Sequence, residues 1–171
     1  MNLMNQERRA QVMAFLDELG IPYEIHEHPP APTVEEALPY WEAIDAAHCK
    51  NLFFRNHKGN KHYLVILDHR RKLNIRDLEQ RLKQGKISFA SPKRMERYLG
   101  VGGGSVSAFG IINDHEHHVH LFIDARLREA KRISFHPNEN SATFVISFAS
   151  FIKFLKSCGN SYEFIALYED Q

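Results

Sequence analysis

The sequence predicts one α+β domain, built on a mixed and mostly antiparallel sheet with helices packed against it. Its 171 residues are 43% hydrophobic and 11% aromatic, which is enough apolar material for a single well-buried core. Strand-like and helix-like patterns follow one another irregularly, with hairpins interrupted by helices, so a doubly wound parallel sheet fits less well. Because no internal repeat or linker-like stretch divides the chain, residues 1–171 are expected to form one domain.

The first elements are a helix, a short strand and a second helix. Apolar residues recur at helical spacing over 12–19, which indicates an amphipathic helix, and residues 23–27 alternate like a strand. Thr33 precedes Glu36 by three positions, which is a capping-box pattern, so the second helix is predicted to begin there. Proline removes a backbone donor inside a helix, and Pro39 is therefore expected to break or restart this one.

A hairpin and two surface helices come next. Two β-rich runs, 52–55 and 63–67, are separated by the turn-like segment 57–60. The second run is apolar at nearly every position, which predicts a strand buried on both faces near the middle of the sheet. Asn74 and Ser91 each precede a short amphipathic pattern as N-caps, so each is predicted to start a surface helix.

The last third of the chain is predicted to alternate between strands and one helix. After the isoleucine pair 111–112 and a polar turn, residues 119–123 alternate in a way that favours a half-buried strand, and a second hairpin is expected here. A strand over 143–146 leads into a helix whose apolar positions run over 148–155. Residues 162–167 are predicted to form the last strand.

Composition and charge limit the classes of partner. Lysine and arginine number 22 against 21 acidic residues, so the net charge of +1 gives no global attraction for a polyanion, and any RNA contact must come from local patches. Cys49 and Cys158 form no CxxC pair, which suits a reducing compartment. No run approaches a membrane span and the N-terminus has no apolar signal core, so a cytoplasmic location without membrane association is expected.

The most informative local motif is the glycine-rich segment 100–105. Closely spaced glycines let backbone amides approach a ligand and point together at an anion or a developing oxyanion. The segment has no GK[ST] ending and no strict GxGxxG, and Ser105 does not lie within GxSxG, so nucleotide binding and serine hydrolysis are weakly supported. A flexible structural loop is the alternative interpretation.

Histidines form the second feature. Four of them lie beside two acids and offer possible metal ligands, and alternation would place the last two on one strand face: His115, His117, His118 and His120. The segment contains no cysteine and no helical HExxH spacing, so a solvated hairpin is favoured and neither a metal nor another cofactor is predicted. His136 lies at a turn between two strand-like runs, and Lys50 and Asn51 precede a buried strand; each is a candidate site residue or an ordinary turn or strand-end residue.

Four sequence blocks carry a resemblance to a known family. They cover 50–56 (KNLFFRN), 87–91 (ISFAS), 104–114 (GSVSAFGIIND) and 136–143 (HPNENSAT). In order and spacing they resemble the YbaK/prolyl-tRNA synthetase-associated domain family. Among its subfamilies, the chain is more similar to the free-standing Ala-tRNA(Pro) deacylases, of the ProXp-ala or PrdX type, than to the Cys-tRNA(Pro) deacylases.

The resemblance implies an aminoacyl-tRNA deacylase that edits in trans and removes alanine from mischarged tRNA(Pro). Water would attack the aminoacyl ester while backbone amides of the glycine-rich loop stabilise the oxyanion. The catalytic residues implied are Lys50, Gly103, Gly104 and Ser105. The substrate-binding residues implied are Asn51, Phe109, Asn113 and His136. The implied partner is the acceptor end of tRNA(Pro), with prolyl-tRNA synthetase or an elongation factor as a candidate protein partner.

The loop departs from the family pattern at two positions. The family loop usually reads G-V-x-P-G-S-V-S-P-F, whereas Gly103 and Ala108 stand here where the two prolines are usual. Because two fixed φ angles are lost, the unliganded loop should be more mobile, which leaves the amino acid removed open. The alternatives are Cys-tRNA(Pro) or another small aminoacyl-tRNA as substrate, a non-catalytic tRNA-binding or regulatory module, and a metal-dependent hydrolase that uses the histidine segment.

Overall fold

One mixed sheet of eight strands organises the computed structural model, which describes residues 2–169. The strands are β1 (Glu24–Glu27), β2 (Ala47–Arg55), β3 (His62–Asp68), β4 (Ser88–Phe89), β5 (His120–Asp124), β6 (Arg132–Phe135), β7 (Ala142–Ser147) and β8 (Tyr162–Ile165). The α-helices are α1 (Leu3–Glu18), α2 (Val34–Trp41), α3 (Ile75–Leu82), α4 (Pro92–Leu99) and α5 (Phe148–Cys158). Two short 3₁₀-helices span Ala108–Asn113 and Ala125–Glu129.

The strand order confirms the α+β prediction. The sheet runs β1-β7-β6-β2-β3-β5-β8, and β4 pairs with β2 off this path. Antiparallel pairing joins β1 to β7, β7 to β6, β2 to β3 and β2 to β4. Parallel pairing joins β2 to β6, β3 to β5 and β5 to β8. The predicted hairpin is therefore the β2–β3 pair, and it lies in the middle of the sheet as expected.

The second edge of β2 is only partly covered, and this positions the site. Along one edge, β2 pairs with β3 from Cys49 to Arg55. Along the other edge, it pairs with β6 at Ala47 and His48 and with β4 at Phe54 and Arg55. Between these two pairings, residues 49–52 have no paired strand on that edge among the described residues. The sheet is thus split beside β2, and a loop and a turn border the opening.

Apolar layers cover both faces of the sheet. Every residue of β3 is buried, which matches its continuous apolar run. On one face, α1 and α5 contribute side chains such as Leu16, Phe151 and Phe154 to the largest cluster. On the other face, Leu78 of α3 packs in a second cluster with Phe54. The sheet is therefore a rigid support for any residue that it presents at the opening.

Local capping signals are confirmed at the helix starts. The Glu36 N–H donates to Thr33 Oγ1 at 3.2 Å, the Asp77 N–H donates to Asn74 Oδ1 at 3.1 Å, and Ser91 accepts from the Arg94 N–H at 3.3 Å. Each bond satisfies a donor that has no partner within its own helix. The short helices therefore begin where the sequence predicts.

Two predictions about the elements are wrong. α2 does not break at Pro39 but continues to Trp41, because proline there removes a single backbone bond in a helix that ends two residues later. The second hairpin does not form. The pair 111–112 belongs to a 3₁₀-helix, and β5 lies parallel to both of its neighbours. β5 is also covered on both faces, since Phe122 is only 1% exposed.

Within residues 2–169, none of the helices has the length and apolar character needed to cross a membrane.

Candidate active site

A cavity of about 270 Å³ lies at the opening beside β2. β2 contributes Lys50, Asn51 and Leu52 to its wall, the glycine-rich loop contributes Gly104, and the turn after β6 contributes His136. Ligand pockets commonly measure about 300–1,000 Å³, so this cavity is slightly smaller than that range. It has room for an aminoacyl group.

The glycine-rich loop reaches the cavity through a tight turn. The Ser105 N–H donates to the Gly102 carbonyl at 3.2 Å, and Gly104 has a φ of +78° while Gly103 does not have a positive φ. This combination is a type II turn, with Gly103 and Gly104 at its central positions. A Cβ at Gly104 would stand 2.7 Å from Pro32 Cβ, so both the backbone angle and the space require glycine.

The backbone amides of Gly103, Gly104 and Ser105 have different surroundings. Gly104 lines the cavity, whereas the Ser105 N–H is committed to the turn and Ser105 itself is buried. At Gly103, an added Cβ would have no atom within 4 Å, so this residue faces open space. Among the three, Gly104 is therefore placed best to offer its amide to a ligand.

Asn51 joins the loop to β2. Its Oδ1 accepts from the Ala108 N–H at 3.1 Å, at the start of the 3₁₀-helix that follows the loop. On the opposite side of the loop, Asn140 Nδ2 donates to the Gly104 carbonyl at 3.3 Å. The glycine-rich loop is thus fastened both to the strand and to the turn that carries His136, so the three parts of the cavity wall are held together.

The His136 ring is held in one tautomer. Its Nδ1 donates to the Ala142 carbonyl at 2.9 Å, which leaves Nε2 as an acceptor. Burial lowers the pKa of His136 below its ordinary value of 6.5, and the nearby His28 lowers that pKa further. His136 is therefore neutral at neutral pH, and it presents an acceptor rather than a positive charge.

A buried carboxylate supports the turn of His136. Glu139 has no exposed surface, and one of its oxygens accepts from the Ser141 N–H at 2.7 Å. Arg9 of α1 approaches the same carboxylate at 3.5 Å. A buried charge is tolerated only when it is paired and hydrogen-bonded, so these contacts give the turn a fixed conformation.

Trp41 forms a further wall of the cavity, and it was not identified from the sequence. The Trp41 ring lines the cavity and stacks on the His48 ring at 4.8 Å between centroids, with 6° between the planes. Its Nε1–H donates to Thr143 Oγ1 at 3.2 Å. These residues come from α2, β2 and β7, and only the strand order brings them together. The sole sequence signal was that Trp41 is the one tryptophan of the chain.

Comparison with known proteins identifies the family. A sequence model of the Aminoacyl-tRNA editing domain matches residues 28–154, which include the glycine-rich loop, β2 and the turn of His136. The chain belongs to the aminoacyl-tRNA editing domain family.

Relatives of this editing domain are similar along nearly their whole length. The Prolyl-tRNA editing protein ProX of Acetoanaerobium sticklandii is 39% identical over 168 residues, which cover 96% of this chain and 100% of that protein. The Prolyl-tRNA synthetase associated domain-containing protein 1 of Xenopus laevis is 34% identical, covering 92% of this chain and 95% of that protein. The crystal structure of a candidate trans-editing enzyme for prolyl tRNA synthetase has the same fold, with a TM-score of 0.70, 21% identity and 99% coverage of both chains.

Two residues expected to bind substrate lie away from the cavity of the editing domain. The Phe109 side chain has no exposed surface and packs edge-on against Phe135 and Phe154, at 5.4 and 5.3 Å between ring centroids. Asn113 Nδ2 donates to the Leu99 carbonyl at 2.9 Å, at the end of α4. Neither residue lines the cavity: Phe109 packs in the core, and Asn113 holds the end of α4, where the glycine-rich segment begins.

The histidines of segment 115–120 do not form one cluster in the editing domain. His118 and His120 do not share partners, because His118 Nε2 contacts a ring nitrogen of His62 at 2.9 Å whereas His120 Nδ1 contacts Ser161 Oγ at 2.6 Å. His118 precedes β5 rather than belonging to it, so the expected alternation does not extend to this residue. Among residues 2–169, no three His, Cys, Asp or Glu side chains are grouped to hold a metal ion.

Proposed function

We propose that the chain hydrolyses the ester of mischarged aminoacyl-tRNA(Pro) in trans, and that alanine is the amino acid removed. The observation that carries this proposal is the 270 Å³ cavity, whose wall brings together Lys50, Gly104 and His136. The 39% identity to a prolyl-tRNA editing protein supports tRNA(Pro) as the tRNA. The acceptor end of that tRNA is then the substrate partner, and a contact with prolyl-tRNA synthetase or an elongation factor stays a prediction.

Hydrolysis of such an ester needs positioning and charge stabilisation more than a protein nucleophile. The α-ammonium group already activates the carbonyl toward water, and the developing oxyanion needs a fixed donor. We assign this role to the backbone amide of Gly104. Cys49 also lines the cavity, but burial raises the pKa of its thiol well above the ordinary value. It therefore stays protonated and is a poor nucleophile.

Lys50 supplies the positive charge at the cavity wall. Burial lowers the pKa of the neighbouring His69, and the positive charges of Arg70 and Lys50 lower it further. The imidazole therefore stays neutral and does not compete with Lys50 for an anion. An ammonium group beside the cavity suits a phosphate or a developing negative charge of the terminal adenosine.

The choice of alanine rests on the limited selectivity of the synthetase. A synthetase pocket built for proline gains only about 1–3 kcal/mol from the carbons that alanine lacks, so it cannot reject alanine strongly. A second site that accepts alanine and discriminates against proline by shape is therefore needed. The fixed ring of His136 and the Gly104 backbone form two sides of such a site, and neither can retreat without breaking the hydrogen bonds described above.

The test is a deacylation panel with a matched pair of lysine variants. Purified protein is given Ala-tRNA(Pro), Pro-tRNA(Pro), Cys-tRNA(Pro) and Ala-tRNA(Ala), and the release of each amino acid is measured. We expect selective release from Ala-tRNA(Pro). Lys50→Ala should lower that rate at least about 100-fold, the loss typical of removing a group that stabilises developing charge. Lys156→Ala, which removes an exposed lysine of α5, should leave it unchanged.

The other outcomes of the panel are equally informative. Preferential release of cysteine would replace alanine by cysteine in the proposal. Binding of tRNA without hydrolysis of any ester would overturn the deacylase proposal and leave a non-catalytic binding module.

A further inference from the structure

Phe89 is an aromatic side chain with one covered face and one open face. It is 60% exposed, although it stacks on the Phe54 ring at 4.7 Å between centroids, with 25° between the planes. Phe54 itself is only 1% exposed and belongs to the core. The contact with Phe54 holds the Phe89 ring in place and leaves its other face to solvent.

The Phe89 ring belongs to β4, which pairs with the strand that lines the candidate active site. β4 pairs Phe89 with Phe54 of β2. Successive side chains of a strand alternate between faces, so Lys50, Leu52 and Phe54 share one face of β2. Lys50 and Leu52 line the cavity, and at about 3.3 Å per residue the strand covers about 13 Å between Lys50 and Phe54. Leu52 therefore connects the cavity to the aromatic pair.

The segment around Phe89 is strongly basic, although the whole chain is nearly neutral. Five basic residues and no acid lie between Glu79 and Glu96: Arg81, Lys83, Lys86, Lys93 and Arg94. Arg81 is paired with Glu163 at 3.1 Å, and Arg94 donates to the Gly59 carbonyl and to His62. The cations offered to a phosphate are therefore the three exposed lysines, Lys83, Lys86 and Lys93. The net charge of the chain is only +1. Positive charge beside an open aromatic ring is the combination that single-stranded nucleic acid binds, with phosphates on the cations and bases on the ring.

We propose that the open face of Phe89 stacks with an unpaired base of the tRNA 3′ end, just before the terminal aminoacylated nucleotide. This inference rests on the proposed function, because it assumes that the terminal nucleotide lies at Lys50. The nucleotide chain then runs from the terminal residue over Leu52 to the base at Phe89. Stacking tolerates any base, so Phe89 contributes affinity for the single-stranded end and does not select among tRNAs.

The experiment compares a long and a short substrate. The long one is Ala-tRNA(Pro), and the short one is the alanyl ester of adenosine, which has no nucleotide to reach Phe89. Loss of one aromatic–base stack corresponds to a factor of about 5 to 150. Phe89→Ala should lower kcat/KM for the tRNA by that factor, mainly through KM, and leave kcat/KM for the short ester unchanged.

Three further variants separate stacking from other effects. Phe89→Tyr keeps a ring face and should retain most of the activity on the tRNA, whereas Phe89→Leu keeps apolar volume without a ring face and should behave like Phe89→Ala. Ile25→Ala is the matched control, because Ile25 is also an exposed apolar strand residue, at 40%, but lies on β1 at the far edge of the sheet. Thermal unfolding shows whether each variant is folded.

Several results would overturn the inference. Equal losses on both substrates would mean that Phe89 acts on the cavity itself, and an unchanged KM for the tRNA would mean that no stack forms. If the unmodified protein hydrolyses neither ester, the proposed function is wrong, but this result alone does not test the role of Phe89. Phe89 is then tested by the Kd for uncharged tRNA(Pro): a weaker Kd for Phe89→Leu, with Phe89→Tyr unchanged, would still support the stack, and equal Kd values would refute it.

Discussion

At the scale of single residues, the candidate site is a cavity lined by residues that are far apart in the chain. Lys50, Asn51, Gly104 and His136 all line one cavity, although the chain separates the first from the last by more than eighty positions. Motif blocks could indicate these residues because each block keeps its own spacing. Whether a side chain points into the cavity or into the core depends on the fold, and the Phe109 side chain lies in the core.

Gly104 gives the sharpest residue-scale prediction. Gly104→Ala forces an L-residue to a φ of +78° and places its Cβ 2.7 Å from Pro32 Cβ. The left-handed conformation alone costs about 1–2 kcal/mol, so we expect the free energy of unfolding to fall by at least that amount. Displacement of the loop should lower the deacylation rate at least about tenfold. Urea denaturation and the rate of alanine release measure the two effects.

The neighbouring glycine provides the matched control for this prediction. An added Cβ at Gly103 meets no atom within 4 Å, so Gly103→Ala should leave both stability and rate close to those of the unmodified protein. Equal behaviour of the two alanine variants would contradict the turn geometry described for residues 102–105.

At the scale of elements, local signals predict the helices and fail for one strand. A cap and the helix that it starts lie within four residues, so Thr33, Asn74 and Ser91 could be identified without knowledge of the fold. Alternation gives no information about the direction of a neighbouring strand. The sequence therefore predicts β5 in a hairpin, whereas it lies between two parallel partners. The opening beside β2 depends on the pairing of three strands and has no local signal at all.

The type II turn of the glycine-rich loop leads to the element-scale prediction. Proline is favoured at the first central position of such a turn, where Gly103 stands here. Gly103→Pro should raise the free energy of unfolding by about 0.4–1 kcal/mol, because it restricts the unfolded chain. The deacylation rate should be retained, since the proposed donor is the Gly104 amide. Urea denaturation and the deacylation rate are measured side by side.

Gly103→Pro also tests which amide acts. Proline has no N–H, so if Gly103 were the oxyanion donor, the rate would fall about 100- to 1,000-fold while stability still rose. That combination would contradict the assignment to Gly104.

At the scale of the whole molecule, partly buried imidazoles tie stability to pH. Burial is the largest cause that lowers the pKa of five histidines: His48, His62, His69, His120 and His136. Burial lowers the pKa of His62 to about 4, and the charges of His118 and Arg94 add to this shift. Arg94 Nη1 donates to His62 Nε2 at 2.9 Å, so the ring proton lies on Nδ1, which faces His118 Nε2. A second proton would place a cation against Arg94.

The stability of the fold should therefore fall in mild acid. The folded pKa of His62 is about 4 and its ordinary value is 6.5, so the unfolded chain binds the proton first. The contribution of His62 to the free energy of unfolding is complete above pH 6.5 and is lost as the pH falls toward 4. Between pH 7.5 and pH 5, the free energy of unfolding should fall by about 2 kcal/mol. Urea denaturation at the two pH values should show this fall in the unmodified protein and a smaller fall in His62→Phe, where the four other histidines still titrate. An equal fall in both proteins would mean that His62 is protonated in the folded state, and the hydrogen bond from Arg94 could not then have the direction assigned to it.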